Sequence, residues 1–127
     1  MPDGRDEVLA LLALCKAEGI GPERLHRLVA YFATAQAVLE AADWEAVIQG
    51  PPAYRRPGRA EFEWARSQWS RLKAEGGRCY VAGDGDYPEL LHQIPSPPPL
   101  LFALGPDDLA GPTVAIVGPR KCSDYGL

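Results

Sequence analysis

The residues best suited to chemistry form a short polar turn near the end of the chain. The apolar run 114–117 is followed directly by Gly118, Arg120, Lys121 and Ser123. A glycine lets the backbone approach an anion closely, an arginine offers a two-pronged fork to a phosphate, and a serine can cap a following helix. A buried strand that opens into such a turn is the usual place of a phosphate site in a doubly wound fold. The pattern therefore predicts a phosphate-binding turn.

The same turn lacks the glycine patterns of nucleotide cofactor sites. Neither G-x-G-x-x-G nor G-x-x-x-x-G-K-[ST] occurs there, so neither a dinucleotide site nor an ATP site is supported. Pro119 removes one backbone amide from the turn and stiffens it. We therefore expect no cofactor, and we expect the Arg120 side chain, rather than backbone amides, to contact a phosphate.

A second candidate phosphate contact lies near the start of the chain, where Gly19 and Gly21 separate two amphipathic helical patterns. This arrangement has the form of a helix-hairpin-helix, in which the free amides of the second helix can face a DNA backbone. Arg24 and Arg27 would add positive charge, whereas Pro22 removes one donor. The alternative is a tight turn whose glycines only permit the two helices to pack, and the sequence leaves both interpretations open.

A basic segment occupies residues 54–78, with seven basic and three acidic residues, or +4 in a chain of net charge -4. Arg55, Arg56 and Arg59 lie at its start and are further candidates for DNA contact. Aromatic residues are interleaved with these charges, as suits single-stranded nucleic acid, where rings stack on bases and arginines meet phosphates. The alternative is a solvated helix face with inward aromatic side chains. Trp64 lies off the main apolar stripe and is the aromatic residue most expected to be exposed.

Several other classes of site and protein are disfavoured by composition. The two histidines are far apart and the three cysteines form no C-x-x-C pair, which argues against zinc, any other metal centre and a disulfide framework. No signal peptide and no apolar run of about 18 residues is visible, so we expect a cytoplasmic protein. A net charge of -4 excludes a chain-wide cationic field. Any nucleic-acid site must be a local patch.

The elements that position these residues fall into two units, residues 1–76 and 77–127. The first is rich in Ala, Leu, Arg and Glu, and we predict helices at 6–16, at 22–32, after Thr34, after Asp43 and at 59–75. The second is rich in Gly, Pro and Val, and we predict strands at 78–82, 100–104 and 113–117 with a short helix at 87–93. The run 114–117 does not alternate, which suits a parallel strand buried on both faces. An unfinished sheet of this kind predicts either a fragment of a longer protein or a partner that completes the sheet.

An ordered set of short motifs runs through the second unit. It comprises Y-P-E-L-L from Tyr87, P-P from Pro97, L-F from Leu101 and V-A-I-V-G-x-R-K-x-S-x-Y-G from Val114. With the G-I-G-P turn from Gly19, these motifs make nearly the whole chain resemble the DNA-processing protein A (DprA/Smf) family. One departure is Pro119, where the family usually has a small residue.

The resemblance implies an α + α/β architecture, with a SAM-like, helix-hairpin-helix domain over residues 1–76 and the truncated start of a Rossmann-like domain over 77–127. It implies a non-enzymatic protein of natural transformation (competence) and DNA recombination, which binds and protects incoming single-stranded DNA and helps load the RecA recombinase. The family's DNA-binding turn corresponds to Gly118 and Arg120, and more weakly to Lys121 and Ser123. Self-association would use parts absent from these 127 residues.

Two other functions remain open at this point. The helical half could be a protein interaction module, with Trp44 or Trp64 as an exposed anchor. The chain could instead be a nucleotide-processing enzyme of a related Rossmann-like fold, although it offers no nucleophile–base pair.

Overall fold

A computed structural model describes residues 4–106, 111–121 and 123–126. Its elements in chain order are α1 (Gly4–Lys16), α2 (Pro22–Phe32), α3 (Ala35–Glu40), α4 (Arg59–Ala74), β1 (Arg78–Val81), α5 (Glu89–His92), β2 (Leu100–Ala103) and a final 3-10 turn (Asp124–Gly126). The described chain is thus helix-rich with one small sheet, an α + β arrangement. None of its helices is long and apolar enough to cross a membrane.

Helix α1 lies at the centre because it is apolar on more than one side. Leu11 and Leu14 are almost fully buried in a cluster with residues of α2 and α3. Val8 and Leu12 face a second cluster that includes Ala65 of α4. Burial of each such leucine contributes about 1.5–3 kcal/mol, and α1 is the element against which α2, α3 and α4 pack.

The helix boundaries follow from local signals in the sequence. Pro22 occupies the first turn of α2, and the Thr34 hydroxyl accepts a hydrogen bond from the Ala37 amide (3.0 Å) to cap α3. Gly76, which has a φ of +71°, follows the C-cap residue of helix α4, and the Gly77 amide donates to the Leu72 carbonyl (2.8 Å). That bond closes a Schellman motif, for which glycine is the favoured residue.

The predicted helix after Asp43 is wrong. Residues 45–47 form a single turn, in which the Asp43 carboxylate accepts a hydrogen bond from the Glu45 amide (2.7 Å). Two prolines follow Gly50, and proline disfavours helical backbone at the residue before it. Trp44 is 1% exposed, so it belongs to the core and is not the exposed anchor that an interaction module would need.

The sheet also differs from the expected parallel arrangement. β1 and β2 are antiparallel, with Arg78 opposite Ala103 and Val81 opposite Leu100. A parallel pair needs a crossover, usually through a full helix, whereas the connection between these strands contains only the four-residue α5. Val81 and Leu100 lie against the helical core, so the sheet packs on the helices through this end.

The predicted third strand, residues 113–117, is not formed in the described chain. The segment has no strand partner there, and the exposed fractions of Val114, Ile116 and Val117 are 89%, 94% and 92%. A run of consecutive apolar residues, without alternating polar ones, becomes a buried strand only under two conditions. Neighbouring strands must hydrogen-bond to it, and other secondary-structure elements must cover both faces of the sheet. Neither condition is met among the described residues.

Candidate nucleic-acid interface

The predicted phosphate turn is open and exposed. Gly118, Arg120, Lys121 and Ser123 are all exposed, and a Cβ added at Gly118 would meet no atom within 4 Å. Ser123 precedes a three-residue 3-10 turn rather than an α-helix, so no helix dipole supports the turn. In the described chain no hydrogen bond or ion pair engages the Arg120 and Lys121 side chains. The turn therefore offers two free cations but no preformed cradle of amides.

The hairpin turn near the start is covered by another loop. Gly19 has a φ of +79°, and a Cβ there would lie 2.2 Å from the Ala53 carbonyl oxygen and 2.7 Å from Tyr54 Cα. The Arg55 amide donates to the Glu18 carbonyl across the same contact (2.9 Å). Gly21 is exposed with open space around it. The close approach that Gly19 permits is therefore made by residues 53–55 of the chain itself.

Arg24 fastens this loop to the hairpin. Its guanidinium donates to the carbonyls of Gly19 (3.0 Å), Pro52 (2.7 Å) and Gly50 (3.1 Å). Three carbonyls from two separate segments use the planar donor set, a geometry that a lysine cannot reproduce. Arg24 thus has a structural role.

Arg56 also has a structural role, close to the loop that Arg24 holds. Its guanidinium lies 4.2 Å from the centroid of the buried Trp44 ring and donates to the carbonyls of Leu39 and Ala41 at the end of α3. Tyr54 stacks on the same indole, with ring centroids 5.8 Å apart. A cation over a tryptophan face contributes about 0.5–2 kcal/mol. The start of the basic segment is therefore held against the helical core.

The three remaining candidate arginines lie in surface ion pairs. Arg27 pairs with Glu23 (2.9 Å), and Arg59 with Glu63 (2.8 Å), each across one helical turn. Arg55 pairs with Glu18 at 3.6 Å. Each partner side chain is more than half exposed, and such pairs are worth only about 0–1 kcal/mol. These arginines can exchange a carboxylate for a phosphate at little cost.

Two tryptophan side chains of helix α4 each lie within cation–π distance of a lysine. Trp64 and Trp69 are half-buried against the second core cluster. The Lys16 ammonium lies 5.2 Å from the Trp64 ring centroid, and the Lys73 ammonium lies 4.6 Å from that of Trp69. The expected exposure of Trp64 is thus only partial. Helical spacing correctly indicated that Phe62 and Trp69 face inward, where they lie half-buried.

Two long-range polar contacts are not indicated by any pattern in the sequence. The Glu7 carboxylate of α1 accepts hydrogen bonds from the Ala35 and Gln36 amides (2.6 and 3.2 Å), and so caps α3 from a different helix. The His26 imidazole of α2 donates a hydrogen bond from Nε2 to the Pro97 carbonyl, 71 residues away. Both contacts depend on the tertiary arrangement, which residue type and local spacing do not encode.

Among the described residues, the structure does not join the open turn at 118–123 to the other candidate DNA-contacting residues, which lie in the hairpin and at 54–59. Across the described residues, no hydrogen bond, ion pair or ring contact joins 118–123 to the hairpin or to residues 54–59. No group of three or more His, Cys, Asp or Glu side chains in that part of the chain is arranged to hold a metal ion. In the described chain, the candidate DNA-contacting cations lie in three settings: without a hydrogen bond or ion pair, in exposed ion pairs, and fixed on backbone carbonyls.

Comparison with known proteins gives two matches. The family described as DNA recombination-mediator protein A matches residues 78–127. Protein Smf of Synechocystis sp. is 33% identical over 129 aligned positions, which cover 91% of this chain. The chain spans 31% of that relative's length. Together the matches cover the open turn as well as the helical half, and they support membership of the chain in the DNA-processing protein A (DprA/Smf) family.

Proposed function

We propose that this chain belongs to a non-enzymatic, cytoplasmic mediator of DNA recombination in natural transformation, and that it contacts single-stranded DNA. The observation that supports the DNA contact is a pair of exposed cations, Arg120 and Lys121, which have no hydrogen bond or ion pair in the described chain and lie within the segment that matches the family. Protection of incoming DNA and loading of RecA rest on family membership, because this chain spans less than a third of the related Protein Smf.

We assign the DNA-contacting residues by how freely each can meet a phosphate. Arg120 and Lys121 come first, with Gly118 and Ser123 in the same open turn. Arg27, Arg55 and Arg59 come second, because a phosphate has to displace only an exposed carboxylate. Arg24 and Arg56 come last, because their donors already hold the fold. Gly19 and Gly21 would contribute backbone rather than charge.

The finer domain description is part of the same proposal. Residues 1–76 would form the SAM-like domain and residues 77–127 the start of the Rossmann-like domain. The Schellman stop at Gly76 and the family match that begins at residue 78 both support a boundary there. The exposed apolar run 114–117 would become a buried strand when further strands flank it.

The test is fluorescence anisotropy of a labelled oligothymidine titrated with the chain at several salt concentrations. Each phosphate contact with single-stranded DNA contributes about -0.7 to the slope of log K against log salt. We expect Arg120→Ala to weaken binding and to make that slope shallower by about 0.7. The matched control is Arg66→Ala, which removes an exposed α4 arginine that has no hydrogen bond or ion pair in the described chain.

The control decides what a loss of binding means. Equal weakening by both variants would indicate that only the total charge matters and would remove the assigned role of the turn. Binding by Arg120→Ala that equals wild type would do the same. No binding by the wild-type chain at low salt would refute DNA contact through this part of the protein.

A further inference from the structure

A cleft of about 550 Å³ lies where the helical hairpin meets the end of β1. Leu11 and Leu25, both almost fully buried, form part of its floor. Val29, Ala30 and Val81 contribute further apolar surface. Pockets of this size with a mainly apolar lining are typical of small-molecule sites, which commonly lie between structural units. None of the residues proposed above for DNA contact lines the cleft.

The aspartate and glutamate side chains in the described lining give the cleft its acidic character. Glu7 and Asp84 line it, together with the imidazoles of His26 and His92, and the described lining contains no lysine or arginine. The Glu7 carboxylate already accepts two helix amides, which compensate its charge. The Asp84 carboxylate has no hydrogen bond or ion pair within the described chain. The cleft thus combines an apolar interior with the Asp84 carboxylate, whose charge no group of the described chain compensates by a hydrogen bond or an ion pair.

We propose that this cleft is a binding site for a small aromatic or apolar molecule that carries a cationic group. The apolar body would lie between α2 and the end of β1, and its amine or amidine would pair with Asp84. The carboxylates disfavour the phosphates of nucleic acid here, so the proposed site is separate from the DNA contacts of Arg120 and Lys121.

The test uses three benzene derivatives of nearly equal shape: benzamidine, benzamide and benzoate. Titration of the isotopically labelled 127-residue chain, followed by NMR chemical shifts, gives the affinity and the location of each probe. We expect saturable shifts at cleft residues such as Val29 and Ala82, with benzamidine the tightest and benzoate the weakest. An exposed ion pair favours benzamidine over benzamide by roughly two- to five-fold.

Two pairs of variants make the outcome decisive. Asp84→Asn should abolish the preference for benzamidine and leave benzamide binding unchanged, whereas Asp86→Asn, in the same exposed turn but outside the cleft, should change neither. Ala30→Phe should obstruct the cleft and weaken all three probes, whereas Ala60→Phe on the exposed start of α4 should not. Chemical shifts away from each substitution verify that every variant is folded.

Three results would overturn the proposal. The first is the absence of saturable shifts at the cleft for benzamidine and benzamide. The second is equal affinity for all three probes. The third is an effect of Asp86→Asn or Ala60→Phe as large as that of its partner variant.

Discussion

Substitution of Gly19 by alanine tests whether the hairpin turn is a packing device. The added Cβ would lie 2.2 Å from the Ala53 carbonyl oxygen, and the residue would have to keep a φ of +79°. Left-handed backbone costs a non-glycine residue about 1–2 kcal/mol. Overpacking against a fixed backbone adds about 1–3 kcal/mol. We therefore expect Gly19→Ala to lower the free energy of unfolding by about 2–5 kcal/mol.

The assay is urea denaturation monitored by tryptophan fluorescence, because Trp44 stacks on Tyr54 directly beside the contact. A loss of about 2–5 kcal/mol is a large part of the 5–15 kcal/mol that usually stabilises a domain, so the midpoint should move clearly. The matched control is Gly21→Ala in the same turn. Gly21 has open space and an ordinary φ of -85°, and an alanine at this N-cap costs at most about 1 kcal/mol.

Two results would refute this reasoning. Gly19→Ala with a free energy of unfolding within about 1 kcal/mol of wild type would mean that loop 53–55 does not hold the turn as described. A loss for Gly21→Ala as large as that for Gly19→Ala would mean that both glycines serve the helix start rather than the loop contact.

Two further predictions concern backbone strain and a partly buried thiol. Ala33 ends α2 with a φ of +79°, so Ala33→Gly should raise the free energy of unfolding by about 0.5–1 kcal/mol in the same urea assay, and a decrease would contradict the strain argument. Burial raises the pKa of the Cys79 thiol from 9.0 to about 11. Peptide-resolved iodoacetamide labelling at pH 9 should therefore be about 50-fold slower at Cys79 in the folded chain than in urea, and equal rates would contradict it. Because the unfolded chain ionises first, the stability that Cys79 contributes is complete below pH 9 and is lost as the pH rises from 9 to about 11.

Much of the helical half was predictable because its boundaries depend on neighbouring residues. Pro22 at a helix start, Thr34 as a cap and Gly76 as a stop each act within about five positions of the chain. The positions of β1, α5 and β2 were predictable to within one or two residues for the same reason. The turn after Asp43 was mistaken for a helix because an aspartate caps both structures with similar hydrogen bonds.

The errors and omissions share a different cause. The segment 113–117 has the composition of a buried strand, but burial requires neighbours that its own residues do not supply. The carbonyl partners of Arg24 lie up to 28 residues away, and those of Arg56 up to 17. No pattern of residue types indicates such pairings. Sequence therefore identified the arginines as a basic group but could not separate those that hold the fold from those that are free.

Under the proposed function, that separation determines where a DNA strand can run on this surface. A phosphate that takes the Arg24 guanidinium must break three hydrogen bonds to carbonyls of two segments and release the loop that covers Gly19. A phosphate that takes Arg27 displaces one exposed carboxylate, at a cost of about 0–1 kcal/mol. A phosphate that takes Arg120 displaces no protein group in the described chain. The physical cost therefore favours a path over the open turn and the surface ion pairs, and disfavours the closed face of the hairpin.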